Sequence, residues 1–154
     1  MLTDQEREEI ERALTHYPDR PSGCVEALKV VQRHRRWISD EHVKDVAELV
    51  NMSAAELDAV ATFYNLLFRK PVGSHVVLVC TSISCWVLNH DCIRDHLQSR
   101  LGIRYGETTK DGRFTLLPIV CLGHCDHAPA MMVDEDLYGD LSPDGVNQIL
   151  ERYS

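Results

Sequence analysis

Apolar positions in the first seventy residues recur at helical spacing. Thr3 and Glu6 form a capping-box pair, and Leu2, Ile10, Leu14 and Tyr17 predict a helix ending before Pro18. After a turn over 18–23, Ala27, Leu28 and Val31 continue the helical period from Cys24 into the basic cluster Arg33, Arg35 and Arg36, residue types suited to a helix C-terminus. Ser39 opens a third helix with Val43, Val46, Ala47 and Val50 on one face. Ser53 with Glu56 caps a fourth through Leu57, Val60 and Ala61 towards Phe63.

Beyond Pro71 and Gly73 the pattern changes. The β-branched apolar run 75–80 reads as a strand, 86–101 as one helix and 113–117 as a second strand. The turn Lys110, Asp111, Gly112 before that second strand predicts a hairpin. Residues 130–133 form a short strand, Leu137 and Tyr138 begin another, and Ser142 with Pro143 starts a final helix through Val146, Ile149 and Leu150. The expected class is therefore α+β, with a helical bundle at 1–72 and a strand-containing domain at 73–154. The acidic run Asp134, Glu135, Asp136 reads as a solvated turn.

Composition narrows the function. With 44% hydrophobic and 26% charged residues in 154, the chain is of the globular class. Its net charge of -8 argues against nucleic-acid binding, which needs clustered Lys and Arg to displace counterions. The two helices meeting at 51–53 could pass for a helix-turn-helix, but 1–72 holds 10 basic and 13 acidic residues, net -3. The longest apolar runs, 76–80 and 116–122, are far below the roughly 20 residues that cross a bilayer, so no membrane insertion is expected. The charged first residues lack a signal-peptide pattern, and the expected compartment is the cytoplasm.

Six cysteines in a cytosolic chain point to metal chemistry before disulfides. Four form two close pairs, Cys80-Thr-Ser-Ile-Ser-Cys85 and Cys121-Leu-Gly-His-Cys125, each following an apolar strand. Two thiolates for each of two tetrahedral irons is the requirement of a 2Fe-2S cluster, and the small residues Thr81, Ser82, Ser84 and Gly123 leave backbone N–H groups free to donate to sulfur. Structural zinc takes the same four thiolates. Spacers of four and three residues favour iron-sulfur over zinc, though spacing alone leaves both open. Cys24 and Cys92 read as core residues, His90 and His127 as polar loop residues, and His124 as an exposed or outer-lying ring. The acidic residues Asp126, Asp134 and Asp136 are expected to make an added electron costlier and the potential low. No catalytic triad, P-loop or G-x-G-x-x-G fingerprint is present, so no catalytic residue is assigned and chemistry on NADH would need a partner.

The motifs Val60-Ala-Thr-Phe-Tyr64, Arg69-Lys-Pro-Val-Gly73, Asp111-Gly-Arg-Phe-Thr-Leu-Leu-Pro118, Cys121-Leu-Gly-His-Cys125-Asp126 and Met131-Met-Val-Asp-Glu-Asp136, with the C-x4-C loop, occur in order along nearly the whole chain. Together they resemble the small thioredoxin-like 2Fe-2S component of bacterial respiratory NADH:quinone oxidoreductase (complex I). The resemblance implies a helical bundle before a thioredoxin-like domain, one 2Fe-2S cluster on Cys80, Cys85, Cys121 and Cys125, and a larger flavoprotein partner that binds FMN and NADH. It also implies other peripheral-arm subunits and a place at the cytoplasmic side of the inner membrane. Similar small subunits serve soluble NAD-dependent formate dehydrogenases and bidirectional hydrogenases, and a zinc-stabilised thioredoxin-like scaffold is the reading from another class. His124 departs from the family, whose members usually carry a small or amide residue there.

Overall fold

The computed structural model describes residues 1–153 and divides into two compact units, Met1–Pro71 and Val72–Ser154. The first holds four helices, α1 (Asp4–Leu14), α2 (Cys24–Arg35), α3 (Asp40–Val50) and α4 (Ala54–Phe63). Leu28, Val31, Val46, Val50, Leu57 and Ala61 are fully or almost fully buried in one apolar cluster that also takes in Ile10. The capping boxes at Thr3/Glu6 and Ser53/Glu56 are both formed. A third, at Ser39, has His42 where Glu or Gln usually stands: the Ser39 N–H donates to His42 Nδ1 at 3.2 Å.

Two arginines tie these helices together. Arg35, at the end of α2, donates to both Glu6 carboxylate oxygens, at 2.6 and 2.8 Å. Glu6 is 1% exposed and its carboxyl is lowered to about 2, chiefly by the Arg35 hydrogen bond acting against the cost of burial. Arg69 donates to Asp58 and Asp40 and to the Ile38 carbonyl, which pins the chain leaving α4 to the α2–α3 connection.

The second unit is a four-stranded sheet with helices. Its elements are β1 (His75–Cys80), α5 (Ile83–Val87), α6 (His90–Leu101), β2 (Phe114–Ile119), β3 (Met131–Val133), β4 (Asp136–Tyr138) and α7 (Pro143–Leu150), in sheet order β2-β1-β3-β4. β1 pairs with β2 in parallel, β3 runs antiparallel to β1, and β4 antiparallel to β3. Val77 and Val79 of β1 join Ile93 and Leu97 of α6, Phe114 and Leu116 of β2, Met131 and Val133 of β3, and Val146 and Ile149 of α7 in one core. A continuous apolar run suits β1, a central strand buried along its length.

Three expectations change. The single helix over 86–101 is two, because Leu88 leaves helical geometry and Asn89 takes a left-handed φ of 75° between α5 and α6. A side chain that can bond its own backbone makes Asn suited to that conformation. The Asp-Gly turn does fold 106–109 back against 114–116, but with one isolated antiparallel bridge, Thr108 to Thr115; the full-length neighbour of β2 is β1. The acidic run does form the turn between β3 and β4, with Glu135 and Asp136 exposed, but two of its carboxylates are also tied to the fold. Asp134 accepts from the Val76 N–H at 3.0 Å and from His75 at 2.7 Å, and Asp136 accepts from the Tyr153 hydroxyl at 2.6 Å.

Candidate metal centre

Parallel pairing of β1 with β2 determines where the thiols go. Cys80 ends β1 in register with Ile119, the last residue of β2, so both loops emerge at the same end of the sheet. That is the end where parallel sheets characteristically place their sites. The Thr81 N–H donates to the Ile119 carbonyl at 2.9 Å, and the Thr81 hydroxyl to the same oxygen at 3.1 Å, joining the first loop to the entrance of the second.

The first loop turns at once into α5, which carries Cys85. Cys80 and Cys85 are 2% and 1% exposed, packed with Ala128 and Ala130 and against Leu122. The second loop is open: Cys121 and Cys125 are exposed, and Cys125 begins a single 3-10 turn to His127. Gly123 adopts a φ of 72°, a conformation costly for a residue with a Cβ, and its N–H donates to Cys121 Sγ at 3.3 Å.

All four cysteines are free, and their thiols interact with one another. Burial pushes the Cys85 thiol up to about 11, aided by its hydrogen bond with Cys80 and by the nearby Cys125, while the Ala130 N–H acts the other way. The Gly123 N–H lowers Cys121, which also meets Cys125, Ser82 and Cys80. Contact with Cys121 raises Cys125, which Ser84 moderates. The sulfurs are thus linked pairwise, Cys80 to Cys85 and to Cys121, and Cys121 to Cys125. No group of three or more described His, Cys, Asp or Glu side chains could grip one metal ion. Two facing pairs, with the Gly123 and Ala130 N–H groups aimed at sulfur, fit a group that spans two metal atoms and carries negative charge with its thiolates.

Cys24 lies in the core of the first unit, and Cys92 is half-buried on α6. His90, expected in a polar loop, is 5% exposed as the first residue of α6. His127 is a half-exposed loop residue, stacked on His124 with ring centroids 4.8 Å apart. The electrostatic expectation needs correction. Asp134 follows Val133, which pairs with Val77, and Asp134 N–H bonds the Val76 carbonyl, so Asp134 and Asp136 sit at the end of β1 away from Cys80. Of the three carboxylates only Asp126, beside Cys125, belongs to the site. Asp140 joins it through His127, at 2.7 Å. Asp140 and Gly139 lie 14 or more residues beyond Cys125 and carry no sequence motif that would mark them.

A family model described as Thioredoxin-like [2Fe-2S] ferredoxin matches residues 10–154. The chain is 46% identical over 153 residues to the E-type subunit of the NADH-quinone oxidoreductase of Pseudomonas aeruginosa, covering 99% of this chain and 92% of the relative. It is 44% identical over 152 residues to the corresponding NADH-quinone oxidoreductase component of Escherichia coli strain K12, with 99% and 92% covered. Among solved structures, a chain of an NAD+-reducing [NiFe]-hydrogenase in the H2-reduced state superimposes with a TM-score of 0.73 at 20% identity, over 89% of this chain and 23% of that one. This last likeness is one of fold.

Proposed function

The chain belongs to the thioredoxin-like [2Fe-2S] ferredoxin family, and on that premise we propose that it is the electron-transfer subunit of an NADH-quinone oxidoreductase. Cys80, Cys85, Cys121 and Cys125 would hold one 2Fe-2S cluster. The observation that carries this reading is the meeting of two thiol pairs at the carboxyl end of β1 and β2. Such a cluster supplies one-electron chemistry when bound.

The chain's own residues hold and tune. Burial of Cys80 and Cys85 keeps water from one side of the site, and the Gly123 and Ala130 N–H groups donate to Cys121 and Cys85, which favours sulfur carrying negative charge. Cys121 and Cys125 form the open side, through which electrons would pass. Exposed apolar residues flank it: Ile83, Trp86, Val87 and Leu88 on and after α5, and Val120 next to Cys121. A cluster of exposed apolar side chains beside a redox site supports contact with another protein chain. In this reading that chain is the FMN- and NADH-binding flavoprotein, and other peripheral-arm subunits complete the assembly on the cytoplasmic side of the inner membrane. No helix among the described residues is long and apolar enough to cross a membrane. The four helices of 1–72 form a bundle serving as a packing surface for partners, and 73–154 is the cluster domain. The names of the relatives favour the quinone-linked complex over formate dehydrogenase or hydrogenase assemblies.

Electron paramagnetic resonance of the dithionite-reduced chain tests the proposal. About two irons per chain and a single rhombic or axial signal are expected. A colourless protein containing zinc would overturn it.

A further inference from the structure

The second cysteine loop is short of support from its own sequence: both its thiols are exposed and it contains one single-turn helix. Support comes instead from the connection between β4 and α7. The Asp140 N–H donates to the His127 carbonyl at 2.6 Å, the Leu141 N–H to the Pro129 carbonyl at 3.2 Å, and the Asp140 carboxylate accepts from His127 Nδ1 at 2.7 Å. His127 in turn donates its N–H to the His124 carbonyl at 3.2 Å. The residues held, His124 and His127, bracket Cys125.

Gly139 allows this approach. A Cβ there would lie 2.5 Å from His127 Cβ, 2.6 Å from the His127 carbonyl oxygen and 2.7 Å from His124 Cδ2. Two of those atoms cannot move without moving the loop backbone. Gly139 does not have a positive φ, so the requirement is one of space and not of backbone freedom. Asp140 does have one, 50°. The connection is anchored on both sides: Tyr138 pairs with Met131 and packs on the core, Leu141 is buried in that core, and Ser142 caps α7. It is a strap tied to the rigid part of the unit.

We infer that Gly139 and Asp140 are positioning residues that hold the 121–127 loop so that Cys125 meets its partner thiols, and that they govern how firmly the metal group is retained. The inference rests on the reading of Cys121 and Cys125 as ligands given above. Residues behind metal ligands commonly alter retention by about 10- to 100-fold when replaced.

The test uses the purified full chain with its cluster and three variants. Gly139→Ala removes the close approach. Asp140→Gly keeps the positive φ and the N–H donor but deletes the tie to His127. Gly102→Ala is the control, since Gly102 has a φ of 68° with nothing within 4 Å of its Cβ position, so Ala strains the backbone without touching the loop. Iron release to bathophenanthroline, the resonance line shape of the reduced protein and the melting temperature are measured. Gly139→Ala is expected to release iron about tenfold faster or more with an altered line shape, Asp140→Gly about threefold faster, and Gly102→Ala to melt lower with unchanged release and spectrum. Release within about a factor of 1.5 of the parent in both strap variants, or equal acceleration in Gly102→Ala, overturns the inference. If Gly139→Ala does not fold, Asp140→Gly decides alone. A parent chain that binds no iron would instead sink the cluster reading on which the strap's role depends.

Discussion

The two units treat their polar groups in opposite ways. In Met1–Pro71 the strongest polar groups are used up internally: Glu6 serves at once as capping residue and as the Arg35 partner, and Arg69 satisfies two carboxylates and a carbonyl. In Val72–Ser154 four thiols converge with no disulfide among them, two in the core and two at the surface, with backbone donors already aimed at them. A unit that satisfies itself is a scaffold. One that gathers four soft ligands and leaves two of them open at the surface is a site, and a metal bound there would draw the thiols to their thiolate form.

The largest test of that contrast is ligand deletion. Cys85→Ala or Cys121→Ala should abolish iron and visible absorption, whereas Cys92→Ala and Cys24→Ala should retain both. Bleaching by Cys92→Ala with survival of Cys85→Ala would reverse the assignment. Stripping the metal should then act on one unit: amide exchange is expected to accelerate in 80–85 and 121–129 while 1–71 stays at the holo rate. Uniform acceleration along the chain would erase the distinction between scaffold and site.

Acid acts on the other unit. Because the Glu6 carboxyl falls from 4.5 to about 2 on folding, its contribution is fully present above pH 4.5 and is lost as pH falls through about 2. The contribution is on the order of 3 kcal/mol, and Glu6→Gln should flatten this part of the stability curve for 1–71. Thermal unfolding followed between pH 5 and about 2 measures it. The two thiol pairs should also differ in the metal-free chain. Cys85→Ser places a hydroxyl in the apolar cluster and should cost about 1–3 kcal/mol, while Cys125→Ser, at the surface, should cost little; urea titration of the two variants gives the difference.

The smallest expected effect concerns His42. Burial, then the Arg35 charge, holds its imidazole below the ordinary value of 6.5, and the neutral ring accepts the Ser39 N–H. Its folded-state pKa is depressed, so this stability is present above 6.5 and lost as pH falls through the lowered value. Capping is worth about 1 kcal/mol. His42→Gln, which restores the usual capping residue, should make stability insensitive to pH in that window; an unchanged pH profile would show that the ring plays no part.

How much of this was written in the chain differs by element. Thr3/Glu6 and Ser53/Glu56 could be read directly, because a capping box closes over three residues and needs nothing beyond them. The His42 box is not legible in the sequence because the ring nitrogen does the work of a carboxylate only once burial keeps it neutral. The two cysteine pairs were visible from spacing, since each is local to one loop. Their approach to each other was not, because it depends on β2 lying beside β1, whereas the Asp-Gly turn pointed towards a hairpin neighbour.

By itself the sequence determined what short range can determine: helix starts, the apolar faces, and which cysteines are neighbours along the chain. Tertiary structure alone decided that the pairs face each other, that Asp134 and Asp136 lie at the far end of β1, and that Gly139 and Asp140 brace the 121–127 loop. The physical reason is that capping and periodicity are set by neighbours a turn away, whereas strand order and close backbone approach are set by how a whole sheet and core pack.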